Sequence, residues 1–345
     1  MASTTINEVP KGVVPFSEAV KITRLDSHTY AANISQSFLI GTVPNGGYSS
    51  SLILQAASMH LPTQPDFLTS HFEFLNRTEA GPAIIVIEDV KLGRQLSTLH
   101  ATLYQGPQFQ TSPLWIPPPS SKQRQKAAKI AGYLIMTDLS KERGLSLHTG
   151  FTLGPSPAPP RPDFAALENN TDRDKNWKLM TFPADNGFGR VRCLSNCVYY
   201  VPRRRQEAKS IFDGWVRLSC NENITDQALG YVVDCWPYIV EAYRPTSRKE
   251  EAVGEDDFKF GHGSVFWYPT CVMNIEVKKS LGRKGTRWLQ MRVASKQIRN
   301  GRLDLEVILL DASGDLVALS SHVNLVLGGE RNTAGRETNG RDGKL

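Results

Sequence analysis

The feature that most restricts this chain is a pattern used twice. Each half has a helix-like segment apolar on nearly every side, followed by several long strand-like segments. In the first half Gly46-Gly47-Tyr48-Ser49-Ser50-Ser51-Leu52-Ile53-Leu54-Gln55-Ala56-Ala57 presents small and apolar residues all round, as a helix with no solvated face does. Strand-like segments follow at Leu68 to Phe74, Ala83 to Leu92 and Ser97 to Tyr104. In the second half the helix is Asp226-Gln227-Ala228-Leu229-Gly230-Tyr231-Val232-Val233-Asp234-Cys235-Trp236. After it come Thr270 to Val277, Trp288 to Lys296, Arg302 to Asp311 and Leu316 to Leu327. Alternation such as Asp304-Leu305-Glu306-Val307-Ile308-Leu309 fits antiparallel strands with one wet face. Ala312-Ser313-Gly314-Asp315 reads as the turn of a closing hairpin. A helix apolar all round needs cover on every side, and a long curved sheet supplies it. The pattern predicts an α+β architecture, a sheet on a central helix, made twice.

Composition agrees with a folded protein of two units. The chain has 345 residues, 40% hydrophobic and 21% charged, with 6 Trp, 14 Phe and 10 Tyr. That excludes a wholly disordered, collagen-like or disulfide-framed chain. The formal charge of +6 is scattered, and its densest run, Arg203-Arg204-Arg205, is a short solvated face. No basic stripe or reading motif argues for nucleic acid, whereas a mild positive field suits an anionic thioester carrier. The five cysteines, Cys193, Cys197, Cys220, Cys235 and Cys271, have neither disulfide nor zinc spacing. The opening segment lacks the apolar core of a secretory signal, and no apolar run approaches the roughly 20 residues of a membrane helix. The expectation is a soluble, intracellular, reduced protein without cofactor.

Prolines set the divisions. We expect a first unit at 1–150 with a Pro-rich excursion at 106–127 and a short strand at Ala131 to Met136. A linker at 151–180, a second unit at 181–327 and a disordered polar tail at 328–345 complete the chain.

Four strings within this layout resemble the acyl-CoA thioesterase family of double hotdog proteins, the type II bacterial enzymes and their fungal thioesterase-like relatives. They are Val43-Pro44-Asn45-Gly46-Gly47-Tyr48, Ala228-Leu229-Gly230-Tyr231-Val232-Val233-Asp234, Tyr268-Pro269-Thr270, and Gly314-Asp315-Leu316-Val317-Ala318-Leu319-Ser320. The resemblance covers about Phe38 to Leu327. It implies two hotdog modules and hydrolysis of an acyl thioester on coenzyme A or a carrier arm, with a homo-oligomer left open. It also implies a catalytic set of Asp234, Thr270 and a third polar group, where the family's Gln is replaced here by His322.

The residues themselves support part of this. Asp234 lies between Val233 and Cys235 on a helix with little other charge, and buried carboxylates are rare unless paired or functional. Removal from water favours the protonated form of a carboxyl group, which suits a base; a structural hydrogen bond is the plainer reading. Thr270 opens a strand, where a β-branched residue is otherwise an ordinary strand former. His322 serves as a polar site group or as a satisfied core histidine. Asn45, Gly46 and Gly47 at a helix start, with Tyr48 and Gly230 nearby, form either a plain N-cap or a substrate-binding corner with free N–H groups.

Other chemistries find no support. There is no G-x-S-x-G elbow, P-loop or dinucleotide fingerprint. His28, His60, His71, His100 and His148 have no spacing with carboxylates that predicts a metal, so none is expected. Two rivals share the fold: a tailoring enzyme of a fungal-type biosynthetic pathway (dehydratase, isomerase or cyclase) using Asp234 and His322 as acid and base, and a non-catalytic acyl-binding module. Localisation is expected to be cytoplasmic, with the final Gly343-Lys344-Leu345 a weak peroxisomal signal.

Overall fold

The computed structural model describes residues 13–106, 121–154, 160–168, 174–181, 192–204, 206–236, 239–245, 252–253, 259–261 and 263–333. Eleven strands and two helices carry the argument. The N-terminal half contributes β1 (Thr29–Ile34), α1 (Gly46–His60), β2 (Asp66–Phe74), β3 (Gly81–Lys91), β4 (Ser97–Tyr104) and β5 (Ala128–Thr137). The C-terminal half contributes β6 (Cys197–Pro202), β7 (Ile211–Leu218), α2 (Leu229–Asp234), β8 (Thr270–Val277), β9 (Leu289–Ala294), β10 (Arg302–Asp311) and β11 (Leu316–Leu325).

All eleven strands belong to one continuous antiparallel sheet, in the order β1-β3-β4-β5-β2-β8-β11-β10-β9-β7-β6. The order is palindromic: β1-β3-β4-β5-β2 in one half is matched by β7-β9-β10-β11-β8 in the other. The halves join where β2 and β8 pair, with Met273 opposite Phe72 and Asn274 opposite His71. This is the double hotdog expected from the sequence. The inner face of the sheet and both helices share one core, in which Leu52, Ile53, Ala56, Ala57, Leu229, Val232 and Val233 are essentially inaccessible. Burial of that apolar surface, at roughly 25 cal/mol per Å², is the main source of stability.

The helices cross where each has glycine. A Cβ added to Gly47 would lie 2.2 Å from the Gly230 carbonyl oxygen and 2.5 Å from the Asp234 Cβ. Gly230 is nearly as tight, 2.7 Å from Ser51 Oγ and 3.2 Å from the Gly47 oxygen. Small residues here let the end of α2 approach the start of α1. The β10–β11 turn holds Gly314 at φ +92°, a left-handed conformation that favours glycine.

Two sequence expectations need correction. The chain does not become disordered at residue 328: Leu327–Gly328 pairs with Phe266–Trp267, and Glu330–Thr333 forms a helical turn. Asn332 is fully buried there and donates to the Ile40 carbonyl while accepting from Thr42 N. The polar composition hid this, because a single buried amide anchors the segment. Within the expected linker, Trp177–Leu179 pairs with β6 as a further edge strand of the sheet, and Leu167 packs with Trp177, whose ring lies beside Trp215 and whose indole N–H is donated to the Pro160 carbonyl. The core of the Pro-rich excursion and the Gly343-Lys344-Leu345 terminus lie outside the described residues. No helix among the described residues is long and apolar enough to cross a membrane.

Candidate active site

Asp234 ends α2, and the glycine crossing delivers its carboxylate to the first turn of α1. Oδ2 accepts from Gly47 N at 2.8 Å and from Asn45 Nδ2 at 3.0 Å. The same Asn45 amide also reaches the Asp234 main-chain carbonyl at 3.0 Å. Asn45 is the N-cap of α1, its Oδ1 accepting from Tyr48 N at 2.8 Å, so one side chain both starts the helix and holds the carboxylate. The positive end of the helix dipole faces that charge.

The other oxygen looks toward the sheet. Oδ1 accepts from Thr270 Oγ1 at 3.0 Å, and Thr270 Oγ1 in turn accepts from Asn324 Nδ2 at 2.9 Å. His322 Nδ1 lies 3.5 Å from the same Oδ1. The Asp234 side chain is 8% exposed and that of His322 fully enclosed. Asp234, Thr270 and His322 thus share one neighbourhood, drawn from three elements of the C-terminal half (α2, β8 and β11) and set against the helix start of the N-terminal half.

Ser320 fixes one side of the His322 ring. Ser320 Oγ donates to the Asn274 carbonyl at 2.6 Å, so its single proton is committed. In the 2.9 Å contact with His322 Nε2 the serine must then accept, and Nε2 carries the hydrogen. Nδ1, on the other side of the ring, faces the same space as Asp234 Oδ1. Nδ1 is buried without a hydrogen-bond partner, and so is Asn324 Oδ1. Unpartnered buried polar atoms are uncommon, and here one lies 3.5 Å from the carboxylate and the other on the residue that holds Thr270.

Asn324 is the residue sequence reasoning missed. Ser320, His322 and Asn324 are all buried while Ser321 and Val323 face outward. The period of two along β11 put all three on the inner face, and that periodicity was the available signal.

The remaining expected residues play other parts. Gly230 shapes the helix crossing. Tyr48 turns into the core, where its hydroxyl donates to the Ala19 carbonyl at 2.7 Å and accepts from Ser35 N at 3.0 Å, while the ring stacks on Phe38 at 4.0 Å. Burial pushes its phenol up to about 12. The expected free N–H groups are mostly spent, Gly47 on Asp234 and Tyr48 on Asn45. Gly46 alone of the three has an N–H without an acceptor among the described residues.

Comparison with known proteins gives the same picture. Residues 34–114 match the model of the acyl-CoA thioesterase N-terminal domain, and residues 162–326 that of the C-terminal domain. The chain is 42% identical over 334 residues to the thioesterase-like protein TwmA of Talaromyces wortmannii, covering 92% of this chain and 93% of that one. Among solved structures, a putative thioesterase II from Thermobifida fusca superposes with a TM-score of 0.62 at 21% identity, over 91% of this chain and 98% of that one. A hot dog fold protein from Alicyclobacillus acidocaldarius gives 0.66 at 14% identity, with the same coverage. The chain belongs to the acyl-CoA thioesterase family and is a thioester hydrolase of double hotdog architecture.

Proposed function

We propose that the chain hydrolyses an acyl thioester, carried by coenzyme A or by a carrier-protein arm, directly with water at Asp234. The observation that carries this reading is the juxtaposition of Asp234 Oδ1 and His322 Nδ1, 3.5 Å apart in a buried corner where Nδ1 has no hydrogen-bond partner. A water that donates one hydrogen to each presents its own lone pair outward, as a nucleophile must. Thr270, steadied by Asn324, fixes the orientation of Oδ1 by its hydrogen bond. Asp234 takes the proton as the water oxygen bonds to the carbonyl carbon, a task worth about 10²–10⁴-fold in rate. The Gly46 N–H, at the positive end of α1, faces the developing oxyanion. The C–S bond then breaks, the thiolate recovers the proton, and acid and free thiol leave. No covalent acyl-enzyme forms.

The test is thiol release from a series of acyl-CoAs of increasing chain length, with mass spectrometry of the quenched protein. Stoichiometric thiol and carboxylic acid, with no acyl adduct on the chain, are expected. The second reading, a dehydratase, isomerase or cyclase of the same fold, draws on the imidazole at position 322, which can donate as well as accept a proton. It predicts that no thiol is released from any thioester although the protein is folded and binds it.

A further inference from the structure

The far end of α1 holds a second constellation, unrelated to the hydrolytic corner. His60 is the last residue of the helix, His28 precedes β1 in its turn, and Asp89 lies near the end of β3. His60 Nε2 is 2.7 Å from Asp89 Oδ1, and His28 Nε2 is 3.2 Å from Asp89 Oδ2. One ligand atom from each of the three residues falls within 4.8 Å of the others. We propose that His28, His60 and Asp89 form a zinc-binding site with an open fourth position for water.

The chemistry of the ligands matches. Two imidazoles and a carboxylate are ordinary zinc donors, at metal distances of about 2.0–2.2 Å, which puts ligand atoms roughly 3.3 Å apart in a tetrahedron. The 2.7 and 3.2 Å separations lie just inside that edge, and the two imidazole nitrogens are no more than 4.8 Å apart. Each imidazole presents its Nε2 because its Nδ1 is held from behind. Tyr30 OH contacts His60 Nδ1 at 3.0 Å, and Ser27 Oγ contacts His28 Nδ1 at 2.8 Å. Outer partners of this kind fix the orientation of metal-binding histidines. Hydroxyls serve both tautomers, so the hydrogen that leaves Nε2 on metal binding moves to Nδ1 and still finds an acceptor. His60 is nearly buried at 6% side-chain exposure, whereas Asp89 at 28% and His28 at 44% leave a path for the ion. Residues 28, 60 and 89 form no motif along the chain; Thr29 opposite Val86 brings the turn before β1 alongside β3.

A 15-residue helix is about 22 Å long, so the ion would clamp α1 to the sheet edge without touching Asp234. Its expected effect is on stability and not on hydrolysis. The test is zinc binding to the full-length, tag-free chain, stripped by chelator and titrated calorimetrically. We expect one ion per chain, a rise in Tm on its addition and unchanged thioester turnover. His28→Ala should weaken binding about a hundredfold or more and Ser27→Ala about tenfold. Zinc affinity in His28→Ala and Asp89→Asn equal to wild type would assign the ion to cysteines and overturn the site. Absence of binding at micromolar zinc would do the same, leaving the three residues as a hydrogen-bonded pin. His28 is the most exposed of the three, so its variant decides if Asp89→Asn does not fold.

Discussion

The two halves of the sheet repeat one topology, but only one of them carries a polar inner row. β5 and β11 are equivalent strands, each flanking the central pair of β2 and β8. On β5 the buried inner residues are Ile130, Gly132, Leu134 and Met136, whereas on β11 Ala318 is followed by the polar Ser320, His322 and Asn324. The helices diverge in the same way. Gly47 and Gly230 meet at the crossing, and four residues beyond them stand Ser51 and Asp234 respectively. Ser51 spends its hydroxyl on the Gly47 carbonyl of its own helix at 3.0 Å, while Asp234 reaches across to the other half. The repeated topology therefore supplies two equivalent corners, and the polar side chains are concentrated in one. The apolar corner contributes packing and the donors of its helix start.

That asymmetry can be broken at several points. Gly47→Ala should do the most damage, since its Cβ overlaps both the Gly230 oxygen and the Asp234 Cβ. Overpacking against backbone costs about 3 kcal/mol or more, readable as a lowered denaturation midpoint together with lost turnover. Ser51→Ala, on the apolar side, should leave turnover within about twofold, the loss of one helix-internal hydrogen bond. Thr270→Val removes the donor to Oδ1 at constant shape and should reduce kcat about 10²-fold with little change in Tm. His322→Gln keeps a polar acceptor and should retain activity within about tenfold, on the order of 1.4 kcal/mol. A larger loss, with one limb of the pH–rate curve gone, would make His322 the base.

Tyr48→Phe should have the smallest effect on turnover, since its hydroxyl serves Ala19 and Ser35 in the core. It should nonetheless remove an alkaline sensitivity. The folded phenol sits at about 12 against an ordinary 10, so the native state keeps its proton where the unfolded chain loses it. The stability this contributes is complete below pH 10 and declines as pH rises toward the folded value. Urea midpoints of wild type and variant across that window measure the difference.

Much of this was legible beforehand. β4, β8 and β10 begin and end where alternation placed them, because one face of each meets the core and the other meets water. Asp234 stood out as a carboxylate between Val233 and Cys235 on a helix with little other charge, and its side chain is 8% exposed. What escaped was set by partners far away in the chain. β1, with Ala31, Ala32 and Asn33, has little intrinsic strand preference and is a strand because β3 pairs with it. The spending of the Gly47 N–H on Asp234 depends on a helix crossing that no local pattern encodes. Asn324 was in view beside His322, and its role rests on Thr270, 54 residues earlier.

The central claim is that a single carboxylate, held between the two halves, activates the water. Asp234→Asn keeps the shape of the side chain while removing its charge, and thiol release from an acyl-CoA measures the consequence directly. The account predicts a fall in kcat of about 10²–10⁴-fold, with the thermal transition little changed and Ser51→Ala near wild type. Turnover by Asp234→Asn comparable to the parent chain would contradict it.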